Sequence, residues 1–162
     1  MSSTATLPEA DSGASLHWRA LERLYASAPI NHLFASELTV TSEGRARIVF
    51  SVHPSVFHAA AAAHGTLYFK MLDDAAFYAA NSIVTDRFLL TTAFNLHLTK
   101  PVRGGTIVAE GHWVSGKRRV MVAESRLIDE DGDEIGRGTG TFMRSRIPLS
   151  SLPGYASGPV ST

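Results

Sequence analysis

Two adjacent acids in an otherwise apolar stretch are the first residues that suggest chemistry. Asp73 and Asp74 follow Met71-Leu72 and precede a run rich in alanine and aromatic residues. Neighbouring residues on a helix point about 100° apart, so the two carboxylates cannot act as a pair. Lys70 lies one turn before Asp74 and can pair with it, which leaves Asp73 without a local partner.

A carboxylate buried without a partner is costly unless it has a chemical task or a polar neighbour. Asp73 is therefore predicted to be a catalytic carboxylate, acting either as a general base on water or as a nucleophile. The structural alternatives are that Asp73 is solvated or caps a neighbouring strand. Asp74 is the second choice for the catalytic acid.

A histidine–glycine pair, His64-Gly65, stands at the start of the same apolar stretch. Backbone N–H groups in the first turn of a helix are unpaired and lie at the positive end of its dipole. They can hold the oxyanion that forms when a carbonyl is attacked, and glycine allows close approach. The alternatives are that Gly65 only relieves a tight turn and that His64 only fixes that turn.

The histidines before this turn do not have the spacing of a metal site. His53, His58 and His64 are five and six residues apart, unlike the four-residue spacing of a helical metal-binding pair. The chain has no cysteine, which excludes thiolate ligands and cysteine nucleophiles. No metal is predicted. For His58 a contact with the reacting group and a structural role are equally favoured.

Composition sets limits on the class of protein. The 162 residues contain 15 basic and 15 acidic side chains, which is typical of one globular domain without a basic field for nucleic acid. The N-terminus has no signal-peptide pattern, and no apolar run reaches membrane-spanning length. We expect a cytoplasmic protein that binds neither nucleic acid nor membrane.

The elements that position these residues follow from hydrophobic periodicity. The pattern predicts an amphipathic helix, a hairpin, a long buried helix and four strands in a meander. In the strand after the long helix, residues 90, 92, 94, 96 and 98 alternate strictly with those of the opposite face. One helix wrapped by a curved antiparallel sheet is an α+β, hot-dog architecture. The predicted domain spans residues 15–146, between a flexible N-terminus at 1–14 and a flexible tail at 147–162.

Three motifs resemble the hot-dog thioesterase superfamily, in its phenylacetyl-CoA-type (PaaI-like) branch. His64-Gly65-Thr66 is similar to the branch's His-Gly-Gly, with Thr66 in place of the second glycine. The helix at 71–82, with Asp73 nine residues after His64, is similar to Leu-Ala-Asp-x-Ala-x-x-x-Ala-x-Asn. Residues 98–105 match the family's strand, proline and glycine turn. His58 stands near a position that is usually Asn or Gln.

The resemblance implies hydrolysis of an acyl-CoA thioester to the free acid and CoA, with no cofactor beyond the substrate. Asp73 would activate water or attack, the Gly65 N–H would hold the oxyanion, and His64 and His58 would lie near the reacting group. Thr66 and Phe77 are candidate substrate contacts. Phe69 and Tyr78 could line an acyl pocket together with Phe77, although aromatic residues on a buried helix are more often core. Basic residues that are predicted to cluster at two adjacent strand turns are candidates for the CoA phosphates: Lys100, Arg103, Lys117, Arg118 and Arg119.

The resemblance also implies a homodimer with a continuous sheet, possibly a dimer of dimers, in which the His-Gly turn of one chain faces the aspartate of the other. Two other functions stay open. A hydratase needs an aspartate–histidine pair on the helix, which has no histidine after His64. A non-catalytic acyl-CoA-binding module or regulator would keep the fold without needing Asp73.

Overall fold

The computed structural model describes residues 12–156. Its six strands form one antiparallel sheet in the order β1-β2-β4-β5-β6-β3, packed against one long helix. The α+β, hot-dog prediction is confirmed. The elements are α1 (Gly13–Ser27), α2 (Pro29–Phe34), β1 (Glu37–Ser42), β2 (Arg45–Ser51), α3 (Gly65–Asn81), β3 (Arg87–Leu98), β4 (Thr106–Ser115), β5 (Val120–Ile128), β6 (Glu134–Pro148) and α4 (Pro153–Ala156).

Helix α3 is the axis of the molecule, and its sequence explains its position. It has no internal glycine or proline, and eleven of its residues are buried, as its apolar character on several sides requires. Small residues let the sheet approach it closely. A Cβ built on Gly111 of β4 would lie 2.0 Å from the Ala75 carbonyl oxygen, so only glycine fits there.

Strand β3 forms one edge of the sheet, because within residues 12–156 it pairs only with β6. Its pairing shifts register between Thr91 and Ala93, which is the signature of a β-bulge. Leu89 is fully buried while Leu90 is exposed. The predicted strict alternation from residue 90 is wrong at this point, because the bulge changes which residues face α3.

The opposite edge of the sheet, β1, is covered by α1. The Glu22 carboxylate of α1 accepts a hydrogen bond from the Val40 backbone N–H at 2.9 Å. Strand β3 has no such cover among the described residues, and it exposes Leu90 and Leu98. Edge strands left open in this way are ready to pair with another chain.

The first and last described elements, α1 and α4, meet beside the C-terminus of α3. The flexible tail predicted from residue 147 is wrong as far as residue 156, because Leu149 is fully buried and α4 follows. The buried His17 imidazole of α1 hydrogen-bonds the Tyr155 hydroxyl at 2.7 Å and the Asn81 carbonyl oxygen at 2.9 Å. The predicted flexible N-terminus lies almost entirely outside the described residues.

Candidate functional site

The Asp73 carboxylate lies two turns into α3 and faces β3. The Thr91 hydroxyl donates a hydrogen bond to Asp73 Oδ1 at 3.0 Å, and no described residue hydrogen-bonds Oδ2. Burial raises the pKa of Asp73 to about 6, against the opposing effect of the Thr91 hydrogen bond. The nearby Asp74 charge raises this pKa further, and Lys70 lowers it. One carboxylate oxygen is thus held and the other is free to react.

Asp74 is held quite differently. The Lys70 ammonium forms an ion pair with Asp74, which confirms the predicted pairing. Lys70 also donates a hydrogen bond to the Asn31 side-chain oxygen of α2 at 2.6 Å. Both members of the ion pair are largely covered, so the pair is an internal contact between helices rather than a solvated surface bridge.

A cavity of about 300 Å³ opens beside Asp73, between α3, the start of β3 and the α1–α2 segment. We call it the Asp73 cavity. Its wall combines aromatic and aliphatic side chains with a few polar ones. The lining residues are Tyr25, Ala28, Ile30, Asn31, Lys70, Asp73, Asp74, Phe77, Tyr78, Phe88, Leu89, Leu90 and Thr91. Phe77, predicted to contact substrate, lies in this wall and packs against Phe88 with ring centroids 5.1 Å apart.

The His64-Gly65 turn forms the N-terminus of α3, as predicted. His64 is the N-cap, and its Nδ1 accepts a hydrogen bond from the Thr66 N–H at 3.0 Å. The His64 carbonyl oxygen accepts the Leu67 N–H at 2.9 Å. The Gly65 N–H has no partner among the described residues. One backbone donor is therefore free at the positive end of the helix dipole.

The chain has no structural need for glycine at position 65. Gly65 does not adopt a positive φ, and a Cβ built there would meet its nearest neighbour, Leu98, at 3.5 Å, an ordinary contact distance. The alternative that Gly65 relieves a tight turn therefore lacks support in this chain. Its side-chain-free surface is available to a molecule that approaches from outside.

Within one chain the Asp73 and Gly65 sites stay apart. Eight residues of helix separate them, which corresponds to about 12 Å along the axis. Strand β3 runs beside α3 in the opposite direction, with Thr91 next to Asp73 and Leu98 next to Gly65. Between these two contacts Phe69 packs edge-on against Phe94, with ring centroids 5.7 Å apart.

The remaining site candidates are mostly engaged in local structure. His58 lies in the loop before α3, where its Nδ1 accepts the Ala60 N–H at 3.0 Å and no contact links it to Asp73. The Thr66 hydroxyl, an exposed candidate substrate contact, hydrogen-bonds His64 Nδ1 at 3.0 Å. These contacts hold the loop and the helix start in place.

The predicted cluster of basic residues is wrong in its geometry. Lys100 and Arg103 lie in the β3–β4 turn, whereas Lys117, Arg118 and Arg119 lie in the β4–β5 turn. These turns are at opposite ends of β4, about 30 Å apart for ten residues of strand. Lys100 is also neutralised by Asp129 at 2.6 Å and Asp133 at 2.8 Å, which raise its pKa.

Two features of the site are absent from the sequence-based prediction. Strict alternation predicts that Thr91 lies on the face away from the helix, whereas the structure places it beside Asp73. The bulge in β3 that causes this difference leaves no clear mark in the sequence. The wall contributed by Tyr25, Ile30 and Asn31 is far from Asp73 in the chain. The sequence offered one signal for this part of the wall, the Lys70–Asp74 pair. A buried ion pair needs further polar neighbours, and Asn31 is such a neighbour of Lys70.

Two absences bear on the class of site. Among residues 12–156, no three histidine or acidic side chains are placed to hold a metal ion. In the same part of the chain, no helix is both long and apolar enough to cross a membrane.

Comparisons with known proteins agree with this fold. The family model of the thioesterase superfamily matches residues 61–135, from the loop before α3 to the start of β6. No protein of curated function matches the sequence. The Escherichia coli PaaI protein from the phenylacetic acid degradation operon superposes with a TM-score of 0.77 at 17% identity, covering 85% of this chain and 99% of that one.

Two other solved structures show the same likeness. Thioesterase HI1161 from Haemophilus influenzae gives a TM-score of 0.70 at 15% identity, covering 78% of this chain and 88% of that one. A mutant of the phenylacetic acid degradation protein PaaI from Thermus thermophilus gives 0.66 at 19% identity, covering 73% and 100%. These structural matches confirm the predicted hot-dog fold, and the family model agrees with the predicted resemblance to the thioesterase superfamily over residues 61–135.

Proposed function

We propose that this protein, which has the hot-dog fold and matches the thioesterase superfamily over its central helix and following strands, hydrolyses an acyl-CoA thioester. The observation that carries the proposal is the Asp73 carboxylate in the cavity wall, with Oδ1 held by Thr91 and Oδ2 free. A pKa of about 6 leaves Asp73 ionised at neutral pH yet able to accept a proton. We therefore favour the general-base role over the nucleophilic one.

In the proposed reaction the acyl group lies in the Asp73 cavity and a water molecule lies against Asp73 Oδ2. The water oxygen attacks the thioester carbonyl carbon while Asp73 takes its proton. The carbon–sulfur bond then breaks, and the proton passes to the departing thiolate. The products are a carboxylic acid and the free thiol of CoA. The reaction needs water and substrate only, without a metal or cofactor.

The attack places negative charge on the thioester oxygen, which needs a donor. We assign this role to the Gly65 N–H of a second copy of the chain, because the two sites of one chain are too far apart. The open β3 edge provides the route. Antiparallel pairing of two β3 strands, centred between Phe94 and Asn95, sets Thr91 of one copy opposite Leu98 of the other.

That pairing brings Asp73 of one copy and Gly65 of the other to the same position along the paired strands. Asp73 lies beside Thr91, and Gly65 lies beside Leu98, so each dimer would hold two sites that draw on both chains. The absence of any need for glycine at position 65 within the chain supports this assignment. Arg103, in the turn at the Gly65 end of the sheet, is our candidate for a CoA phosphate contact.

The first test is release of thiol from short, medium and aromatic acyl-CoAs by the wild-type protein. We expect turnover of at least one of them. Binding of acyl-CoA without any thiol release would contradict the proposal and favour a non-catalytic acyl-CoA-binding module. The general-base role predicts that a single turnover in H₂¹⁸O puts the label in the acid product, and an unlabelled first product would identify Asp73 as the nucleophile.

Mixed dimers test the shared site. Asp73→Asn removes the base and is expected to lower kcat by about a hundredfold. Gly65→Ala fits the fold and keeps the N–H, but its methyl group would obstruct the approach of the substrate oxygen, so we expect a comparable loss. Dissociating and reassociating a mixture of the two proteins creates dimers with one intact site, restoring up to about a quarter of wild-type activity. No restoration, with mixed dimers verified by mass spectrometry, would contradict a site built from two chains.

A further inference from the structure

One polar group in the Asp73 cavity is not used by the proposed reaction and has no partner. Tyr78 lines the cavity and is 6% exposed. Its hydroxyl makes no hydrogen bond with any described residue, although the ring packs edge-on against Tyr25, with centroids 5.3 Å apart. The hydroxyl oxygen is not among the fully enclosed polar atoms, so it is open to the cavity and can bond a group that enters it.

The other polar side chains of the cavity wall already have partners. The Tyr25 hydroxyl hydrogen-bonds the Ser36 hydroxyl at 2.5 Å. Asn31 accepts from Lys70 at 2.6 Å and donates to the Tyr25 carbonyl oxygen at 2.6 Å. Lys70 pairs with Asp74, and Thr91 donates to Asp73. Tyr78 is thus the polar side chain in this wall that is left to recognise a ligand.

The charges around Tyr78 restrict what that ligand group can be. Lys70 compensates Asp74, so the ionised Asp73 leaves the cavity with a net negative charge. A second carboxylate entering this partly desolvated space would be repelled. A tyrosine hydroxyl can donate and accept, which suits an uncharged hydroxyl or keto group.

From this arrangement we infer that Tyr78 determines acyl specificity, by hydrogen-bonding an uncharged hydroxyl or keto group on the acyl part of the substrate. The inference rests on the proposed function. The cavity is open to solvent on one side and has a volume of about 300 Å³. A cavity of roughly 150 Å³ holds benzene, so the space suits one ring with a short linker or a chain of about eight carbons.

The test compares matched substrates that differ only in the distal hydroxyl. Suitable pairs are hexanoyl-CoA with 6-hydroxyhexanoyl-CoA, and 3-phenylpropanoyl-CoA with 3-(4-hydroxyphenyl)propanoyl-CoA. We expect wild-type kcat/KM to favour the hydroxylated member of at least one pair. Tyr78→Phe should lower that preference, the ratio of the two kcat/KM values, about tenfold, which is the usual worth of one hydrogen bond.

Tyr25→Phe is the matched control. It removes a hydroxyl from the same cavity wall, but one that is already bonded to Ser36. We expect it to lower Tm and leave the substrate preference unchanged, whereas Tyr78→Phe should leave Tm unchanged. No wild-type preference for either hydroxylated substrate, or an equal loss on both members of a pair in Tyr78→Phe, would overturn the inference.

A binding measurement separates this inference from the proposed function. Thioether analogues of the same acyl-CoAs cannot be hydrolysed, and their Kd values give the hydroxyl preference without catalysis. A Kd preference that Tyr78→Phe abolishes would support the role of Tyr78 even if no acyl-CoA were hydrolysed. A preference that persists in Tyr78→Phe would reject it even if the enzyme were active.

Discussion

Asp73 and Asp74 are adjacent, carry the same functional group and are both removed from water, yet their surroundings differ completely. Asp74 faces the α1–α2 segment and is compensated by Lys70. Asp73 faces β3 and has only the Thr91 hydroxyl. Burial raises the pKa of Asp73 to about 6, whereas the charge and the hydrogen bond of Lys70 oppose the effect of burial on Asp74. The comparison teaches that burial alone does not make a carboxylate reactive, because reactivity also needs an oxygen that no neighbour has engaged.

Within this one helix, Asp74 contributes to the stability of the fold and Asp73 to the proposed chemistry. The Asp74 contact holds α2 against α3 through Lys70 and Asn31. Asp73 carries an uncompensated charge that weakens the fold, which is common at functional sites. The two residues should therefore respond to the same substitution in opposite directions.

Asp74→Asn should give the largest change in stability. The substitution removes one member of a largely buried ion pair and leaves the Lys70 charge uncompensated, at a cost of about 3 kcal/mol in the free energy of unfolding. Urea denaturation at pH 7.5 measures this loss. The matched control is Lys70→Met with Asp74→Leu, which removes both charges and should recover most of it. A loss under about 0.5 kcal/mol, typical of an exposed pair, would contradict a structural role for Asp74.

Asp73→Asn should stabilise the fold by about 1–2 kcal/mol at pH 8. The folded pKa of about 6 is above the usual value of 3.8, so the wild-type protein is most stable, as far as this group is concerned, while Asp73 is protonated. That contribution is lost as the pH rises from the unfolded pKa through 6. The advantage of the variant should therefore vanish near pH 4 in the same urea experiment. Destabilisation at pH 8 would show that Asp73 is a compensated structural group.

Thr91→Val should produce the smallest effect, and it affects the reacting carboxylate alone. Wild-type kcat/KM should fall as the pH drops below about 6, where Asp73 becomes protonated. The Thr91 hydrogen bond lowers the pKa of Asp73, so its removal should move this acid limb to higher pH and lower activity several-fold at pH 6. Thr91→Ser, which keeps the hydroxyl, should behave like wild type. If the acid limb of the Thr91→Val profile stayed at the wild-type pH, Asp73 would not be the group that sets the pH dependence.

The local part of this picture was predictable from the sequence. The spacing of Lys70 and Asp74 by one helical turn predicts their pairing, and the turn before an apolar stretch places His64 at the start of α3. Both depend on residues within a few positions of each other, where helix geometry fixes the distances. The succession of strands along the chain followed from alternation and turn residues for the same reason.

The parts that failed depend on long-range geometry. The bulge between Thr91 and Ala93 adds one residue to the strand, so Thr91 before it faces α3 although alternation predicts the opposite face. After the bulge, Phe94 and Leu98 lie on the predicted face. Lys100 is neutralised by acids some thirty residues away, and part of the cavity wall comes from α1 and α2. Periodicity cannot report such contacts, because they are set by how separate elements pack.

The most direct measurement compares hydrolysis of one acyl-CoA by Asp73→Asn and Asp74→Asn, with rates normalised to the folded fraction of each protein. Our account predicts that Asp73→Asn loses about a hundredfold or more in kcat, whereas Asp74→Asn stays within about fivefold of wild type once folded. Turnover by Asp73→Asn at the wild-type rate, or an equal loss of kcat in both variants, would contradict the assignment of Asp73 as the reacting carboxylate.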